Sequence, residues 1–359
     1  MPGQPQLPRL VRGVAGALFF GVAGGLLVLG LARGGSSLRT LVEVKPACIG
    51  AAAVLVIAGW FLDAFRLQVM ARPLGARLGL GQALRITLMA TFVSGVTPFD
   101  SGGEPLAIYL LAQSGIRLGE STAVIAVKSL LSAAVRLLLA IVLPLLLFLA
   151  RRTWVLPTGV NLFLSAGLIV YVAALTALAF LAAKPLLVEA VSQRLLQSRL
   201  ASRLLSERLR LRLGERLRHG AADFRESVAL LYREKRSAVV VAAFLTLLVW
   251  AVTFLVPVMV LRGLGMDPPW AEVLAVAAVF YLVAAYAPTP GSSGAAETSS
   301  ALLFARLVPL KFLGLFVLVW RLVAYYLGLA IGGVMLLLHL RNSRRPDRKG
   351  YRGEEAGDD

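Results

Sequence analysis

The sequence is poor in the residues from which metal sites, disulfides and catalytic dyads are built. It has one cysteine, Cys48, and two histidines, His219 and His339. One cysteine permits no internal disulfide, and neither histidine has a metal-ligand partner at a useful spacing. Neither a Gly-x-Ser-x-Gly elbow nor a P-loop is present. We therefore expect no metal and no cofactor, and we find no motif that identifies an enzyme.

Charge is also scarce. Asp, Glu, Lys and Arg make up 16% of the 359 residues, whereas 58% are hydrophobic. An ordinary soluble domain carries about 25% charged residues. Apolar runs of about twenty residues, the length that crosses a bilayer, recur along the chain. These features exclude a soluble protein and predict an all-α polytopic membrane protein.

The charge that is present is mostly positive, with a formal net charge of +18. Most basic residues lie between or beyond the apolar runs, which is the pattern of cytoplasmic loops and of contact with anionic lipid. Nucleic-acid binding is a poor alternative, because no basic stripe interleaved with aromatic residues lies on a soluble domain. We expect an inner (cell) membrane protein with both termini in the cytoplasm.

Six apolar runs predict complete crossings, and we expect residues 1–340 to form a single transmembrane domain. Residues 184–236 are basic, with leucines at four- and five-residue steps; they predict a cytoplasmic amphipathic segment on anionic leaflet lipids, or alternatively a solvated helical hairpin. Residues 341–359 predict a charged, disordered cytoplasmic tail. The predicted crossings are 13–32, 46–65, 120–149, 160–183, 238–261 and 312–339.

Two related motifs interrupt shorter apolar segments. Residues 97–104 read Thr-Pro-Phe-Asp-Ser-Gly-Gly-Glu, and residues 289–297 read Thr-Pro-Gly-Ser-Ser-Gly-Ala-Ala-Glu. Proline and glycine break a helix at such points. The same interval separates the first Glu from Lys128 and the second Glu from Arg321. Interrupted hydrophobic segments at corresponding places in two halves are typical of a transporter's binding site.

These echoes predict an inverted repeat, with repeat one at about 47–150 and repeat two at about 238–340. Each motif would form the tip of a re-entrant or broken helical hairpin, and the tips would enter from opposite faces around one pocket for a phosphate. Helix N-termini at the tips would favour an anion. The predicted substrate-binding residues are Thr97, Pro98, Asp100, Ser101, Gly102, Glu104, Lys128, Arg136, Thr289, Pro290, Ser292, Ser293, Gly294, Glu297, Arg321 and Tyr325.

The charged residues also permit a purely structural interpretation. Glu104 could pair with Lys128, and Glu297 with Arg321, as buried ion pairs. Lys128 could instead extend to the cytoplasmic interface.

Other local patterns have structural explanations as well. Ser101-x-x-Glu104 predicts a capping box at the start of a short helix. Asp63 and Arg66 predict a local pair at a membrane edge. Gly328 and Gly332 predict a close helix contact.

Three groups of residues carry a resemblance to a known family. They are Pro98, Glu104 and Pro105; the run Pro288-Thr289-Pro290-Gly291 leading to Glu297; and Trp320-Arg321-Leu322 with Tyr325-Tyr326. Together they resemble the flippase-like family typified by the transmembrane region of lysylphosphatidylglycerol synthase.

The resemblance implies movement of an aminoacylated phospholipid between leaflets, although many stand-alone members have no assigned substrate. We expect no synthesis of that lipid, because the chain lacks the soluble aminoacyl-transferring domain. Lys128 stands where the family pattern has Arg, and Ser292-Ser293 and Ala295-Ala296 stand where glycine or apolar residues are common.

Three functions are compatible with these sequence features. The first is a translocase for an anionic or aminoacylated phospholipid, or for a lipid-linked head group. The second is a membrane-embedded lipid- or glycan-modifying enzyme, or the membrane subunit of a synthase; a new covalent lipid product would reveal it. The third is a non-transporting partner protein, with 184–236 as its docking surface. The partners we consider besides lipid are another enzyme and a second copy of this chain.

Overall fold

The computed structural model describes residues 45–75, 77–151, 236–285 and 295–342, together with 172, 173, 176, 180, 226 and 229. The predicted crossing at 13–32, tip residues 289–294 and tail residues 343–359 lie outside this part of the chain. The predicted crossing at 160–183 and the segment 184–236 lie mostly outside it.

The described ranges form helices joined by short turns, without a strand among them. A 3-10 turn at Pro98–Asp100 follows the helix Leu80–Val96, and a π turn at Leu322–Tyr326 follows the helix Leu310–Arg321. The helices are α1 Pro46–Ala71, α2 Leu80–Val96, α3 Gly103–Gln113, α4 Leu118–Arg151, α5 Arg236–Gly263, α6 Trp270–Ala284, α7 Ala295–Phe304, α8 Leu310–Arg321 and α9 Leu327–Asn342.

Four of the predicted crossings are present as long apolar helical stretches. They are Pro46–Leu74, Leu118–Ala150, Arg236–Gly263 and Leu310–Asn342, each long enough to cross a membrane. By contrast, α2 has 17 residues and α6 has 15. At about 1.5 Å per residue these two are shorter than a hydrocarbon core of about 30 Å. The chain is therefore an all-helical, multi-pass membrane protein with short apolar helices between its long ones.

The first motif forms a sharp tip between α2 and α3. Phe99 (φ 56°) and Asp100 (φ 51°) both adopt left-handed backbone conformations. Such a conformation costs about 1–3 kcal/mol for each non-glycine residue, so the surroundings must hold it. The backbone N–H of Gly102 donates to Thr97 Oγ1 at 2.9 Å and thereby closes the tip.

The predicted capping box at Ser101 and Glu104 is wrong. Helix α3 starts at Gly103, and its N-cap residue, Gly102, makes no side-chain cap. Ser101 Oγ instead donates to the carbonyl of Pro98 at 2.8 Å, because the 3-10 turn brings that oxygen within its reach.

Helix packing is reciprocal between the two halves. Helix α1 packs against α5, α2 against α9, and α6 against α4. The N–H of Lys45 donates to the carbonyl of Gly263 at 2.7 Å, so the start of α1 lies at the end of α5 and the two helices are antiparallel. The hairpin of each half thus contacts the long crossing that ends the other half.

The predicted close contact at the GxxxG face is confirmed. Gly332 of α9 lies so close to α2 that a Cβ atom there would overlap the carbonyl of Leu88. Gly328 lies near Trp60 and Thr91. Small residues at this seam allow the two backbones to approach.

The apolar side chains form two separate cores. One core gathers α5 to α8 with the N-terminal part of α1 and the C-terminal part of α4. The other gathers α2, α3 and α9 with the opposite parts of α1 and α4 and with the N-terminal part of α5, at Ala242. The long helices pass from one core to the other, and Asp63, Ser132 and Thr246 lie where α1, α4 and α5 do so.

Candidate functional site

A cavity of about 380 Å³ lies between α1, α2, α3 and α4, and we call it the central cavity. Ionisable side chains are costly inside a membrane protein, and their clustering there is by default a sign of function. Its charged lining consists of the carboxylates Asp63, Asp100 and Glu104 and the cations Arg66, Lys128 and Arg136.

Asp63 is the centre of a buried polar network. Its carboxylate accepts hydrogen bonds from Arg66 and, at 2.7 Å, from Lys128 Nζ. Arg66 Nη1 also donates to Ser132 Oγ and Thr246 Oγ1, both at 2.8 Å. The network therefore joins α1, α4 and α5. Asp63 and Arg66 do pair, as the sequence predicts, and their side chains are 19% and 4% exposed, so the pair lies inside the helix bundle.

The predicted ion pair between Glu104 and Lys128 is wrong. Lys128 pairs with Asp63, and Glu104 accepts a hydrogen bond from the hydroxyl of Ser129. The Lys128 side chain is 18% exposed, so it does not extend to the interface. The reason is that α1 packs beside α4 and brings the carboxylate of Asp63 within 2.7 Å of Lys128 Nζ.

Helix α2 presents a polar stripe to the central cavity. Thr87, Thr91 and Ser94 all line it, at spacings that place them on one helical face. Thr87 is 5% exposed, and its hydroxyl has no hydrogen-bond partner among the described residues. Sequence reasoning missed this stripe, although its helical period inside an apolar segment was a usable signal.

A second cavity, of about 160 Å³, adjoins the first, and we call it the aromatic cavity. Asp100, Arg136 and Ala285 line both. Ala285 is the last described residue before the second motif. The aromatic cavity is lined further by Phe280, Tyr281, Ala284, Trp320, Arg321, Ala324 and Tyr325.

Arg321 is held by the second half of the chain. Its Nε lies 3.1 Å from Glu297 Oε1, and the Glu297 side chain is 2% exposed, which confirms the predicted pair. The guanidinium carbon of Arg321 lies 4.0 Å from the ring centroid of Tyr325, a cation–π contact. The sequence did not predict the π turn that follows Arg321, a feature common at functional sites.

Packed aromatic rings support Arg321 from behind. Trp320 is 2% exposed. Its ring centroid lies 4.7 Å from that of Phe280, 5.3 Å from that of Phe304 and 5.4 Å from that of Phe316. This cluster packs α8 against α6 and α7 and so positions Arg321, the residue that follows Trp320.

A third cavity, of about 520 Å³, lies between α2, α3 and α9, and we call it the vestibule. Its walls include Ile86, Met89 and Leu110, and Ile86 also lines the central cavity. Among its described lining residues there is no carboxylate. Its polar lining consists of Gln82, Arg85, Gln113, Ser114 and His339.

The structure brings together part of the predicted site. Asp100, Glu104, Lys128, Arg136, Arg321 and Tyr325 line the central or aromatic cavity, and Glu297 lies beside Arg321. Thr97, Pro98, Ser101 and Gly102 build the first tip instead of lining these cavities. Thr289, Pro290, Ser292, Ser293 and Gly294 lie outside the described residues.

Residues that sequence reasoning missed complete the site. Asp63, Arg66, Thr87 and Ser132 line the central cavity, and Thr246 binds Arg66 from α5. In the part of the chain that the structure describes, no group of three His, Cys, Asp or Glu side chains is arranged to hold a metal ion.

Comparisons with known proteins place these residues in a family context. A family model described as the lysylphosphatidylglycerol synthase TM region matches residues 14–332. A UPF0104 membrane protein of Archaeoglobus fulgidus is 25% identical over 293 residues, which cover 81% of this chain and 86% of that protein. The matched range includes all three cavities except His339 of the vestibule.

Proposed function

This chain belongs to the family of the lysylphosphatidylglycerol synthase transmembrane region, and we propose that it is a lipid translocase. Its substrate would be an anionic or aminoacylated phospholipid, or a lipid-linked head group, that moves between leaflets. The observation that carries the proposal is a row of three neighbouring cavities that share lining residues. Ile86 lies between the vestibule and the central cavity, and Asp100 and Arg136 lie between the central and aromatic cavities.

This series of cavities favours transport over catalysis. A catalytic site gathers its groups around one reacting position. Here cations are distributed from Arg85, through Lys128 and Arg136, to Arg321. The phosphate of a phospholipid can therefore pass from one cation to the next while the acyl chains of that phospholipid stay in the bilayer. Movement of that kind is a translocation step.

The cations of the site are already paired with carboxylates, and this arrangement suits a head group that takes the place of one partner at a time. Lys128 and Arg66 already bind Asp63, and Arg321 binds Glu297. An incoming phosphate would replace a carboxylate at a cation, and an amino group on the lipid would engage the carboxylate it releases. Each exchange keeps buried charges paired, which avoids the large penalty of an isolated charge.

Helix contacts support an inverted repeat as the architecture for this movement. The first and second halves contribute antiparallel partners, α1 and α5. Exchange of the halves also maps the contact of α2 with α9 onto that of α6 with α4. Reciprocal contacts of this kind are what a twofold relation between two repeats requires.

We place the vestibule at the cytoplasmic face of the cell membrane. It lies at the end where α9 finishes, and Arg72, Arg77, Arg85, Arg117 and Arg341 lie at that same end of the bundle. An excess of arginine is typical of cytoplasmic loops. Both termini, and contact of 184–236 with anionic lipid, belong to this side in the proposal.

Leaflet exchange in proteoliposomes tests the proposal. Fluorescent phosphatidylglycerol in the outer leaflet is quenched by dithionite, and the protein should make the inner-leaflet pool accessible. Arg321→Ala and Glu297→Gln should slow exchange about tenfold or more, the equivalent of about 1.4 kcal/mol. Lys311→Ala, an exposed change at the start of α8, is the matched control. Exchange at the native rate in both site variants would refute the assigned roles.

Lipid mass spectrometry separates transport from the enzymatic alternative. Lipids extracted before and after incubation with the protein should have identical masses if the protein only moves them. A new covalent product that requires Glu104 or Glu297 would favour a membrane-embedded transferase instead.

A further inference from the structure

Asp100 occupies the junction of the central and aromatic cavities. Arg136 of α4 and Arg321 at the end of α8 also line the aromatic cavity, and each interacts electrostatically with Asp100. One of these arginines comes from each half of the chain. Asp100 is therefore the acidic residue that faces both of them from the first tip, and its exposed side chain can be reached from the cavity.

The tip is built to hold the carboxylate at this junction. Asp100 has a φ of 51°, a conformation that residues other than glycine adopt infrequently. Ser94 Oγ donates to the backbone carbonyl of Asp100 at 2.9 Å, and Gly102 N–H donates to Thr97 Oγ1 at 2.9 Å. Neither bond uses the Asp100 carboxylate. The side chain therefore stays at the wall that the two cavities share.

We propose that the space between Arg136 and Arg321, which both line the aromatic cavity, is a phosphodiester-binding site and that Asp100, on the same wall, is the anion whose charge competes with the lipid phosphate for these arginines. This inference rests on the proposed translocase function and identifies its phosphate site. Guanidinium groups bind phosphate through paired, charge-assisted hydrogen bonds, so phosphate competes well against one carboxylate. The second motif has no acidic residue at the position that corresponds to Asp100, and its Glu297 binds Arg321 directly.

The other role for Asp100, direct contact with an amino group on the lipid, predicts the opposite result. Removal of the Asp100 charge would then weaken the binding of an amino lipid. Removal of a competing anion must instead strengthen the binding of any phosphodiester lipid. The sign of the affinity change therefore decides between the two roles.

The test is binding of dihexanoyl phosphatidylglycerol to the purified full-length protein in nanodiscs, measured by calorimetry. Asp100→Asn removes the charge and keeps the size, and Asn tolerates the left-handed conformation. We expect Asp100→Asn to bind several-fold more tightly than the native protein, and Arg136→Gln to bind several-fold more weakly. Asp267→Asn, an exposed change at a side chain that is 85% exposed, is the control.

Further ligands identify what the site recognises. If glycerol 3-phosphate also binds Asp100→Asn more tightly, the site accepts soluble phosphates; if only the lipid does, the acyl chains are required. Either result supports the site. Unchanged or weaker lipid binding by Asp100→Asn overturns it, as does weaker binding of dihexanoyl phosphatidylethanolamine. Binding is measured without leaflet exchange, so failure of the translocase proposal would leave this affinity change intact.

Discussion

Tyr325 donates its hydroxyl hydrogen to the carbonyl of Gly95 at 2.7 Å and so joins the last membrane crossing to the first hairpin. The same Tyr325 ring carries the guanidinium of Arg321 against its face. Gly95 lies one turn before the first tip. The cation of one half is thereby positioned by the backbone of the other.

Removal of the hydrogen bond between Tyr325 and Gly95 should slow leaflet exchange while Arg321 stays in the site. Tyr325→Phe keeps the ring beneath Arg321 and deletes the hydrogen bond, which is worth about 0.5–1.5 kcal/mol. We expect slower leaflet exchange, by about two- to tenfold, with a small loss of thermal stability. Tyr109→Phe, at a side chain that is 56% exposed, serves as the control. An equal effect in both variants would show that the hydrogen bond to Gly95 makes no specific contribution to leaflet exchange.

Asp63 should be important for stability. Asp63→Asn leaves Arg66 and Lys128 buried without their carboxylate, and disruption of a buried pair costs about 3–5 kcal/mol. We expect a large fall in the unfolding midpoint in detergent, and Lys128→Met in the same chain should partly restore it. The comparison is Asp267→Asn, which breaks an exposed pair with Arg262 and should change stability by about 0–1 kcal/mol.

Ile86 should control passage from the vestibule to the central cavity. Ile86→Trp fills the boundary between them, whereas Ile86→Val leaves it open. In a Cys48→Ala background, a cysteine introduced by Thr87→Cys should react with a water-soluble thiol reagent from the arginine-rich side. Ile86→Trp should block that reaction and leaflet exchange, whereas Ile86→Val should preserve both. If the introduced cysteine reacted at an unchanged rate in the Ile86→Trp chain, the reagent would not reach residue 87 past Ile86, and the two cavities would not be connected there.

Gly332 should not tolerate a side chain. Gly332→Ala places a Cβ atom against the carbonyl of Leu88, and forced repacking in a tight contact costs about 1–3 kcal/mol. Gly50→Ala is the matched control, because no atom lies within 4 Å of a Cβ built there. Thermal unfolding should therefore distinguish these two helical glycines. Equal stability of the two variants would contradict the close packing of α9 on α2.

Local features of the site followed from the sequence, because they depend on residues that are near in the chain. The helix break after Val96 follows from Thr-Pro, and the spacing of Glu297 and Arg321 anticipated an ion pair that the structure contains. The long crossings followed from apolar length. Helix α2 begins at Leu80, and its first two turns contain Gln82 and Arg85, so hydropathy alone does not locate its start.

Features that depend on the positions of separate helices could not be predicted in this way. Lys128 has two acidic candidates, and only the packing of α1 beside α4 selects Asp63 over Glu104. Thr246 looks like an ordinary helical threonine until Arg66 is placed beside it. The π turn after Arg321 likewise could not be predicted from the sequence, because the residues that form it are compatible with a regular α-helix.

The two apolar cores have a mechanical consequence. Because α1, α4 and α5 each belong to both cores, and the short helices of each half contact the opposite half, the two halves are tied together through both cores. Deformation must concentrate in the polar layer between the cores, where the last crossing has its π turn at Leu322–Tyr326. In the proposed translocase, access would then alternate by bending of these continuous helices at the polar layer, while the two apolar cores keep their packing.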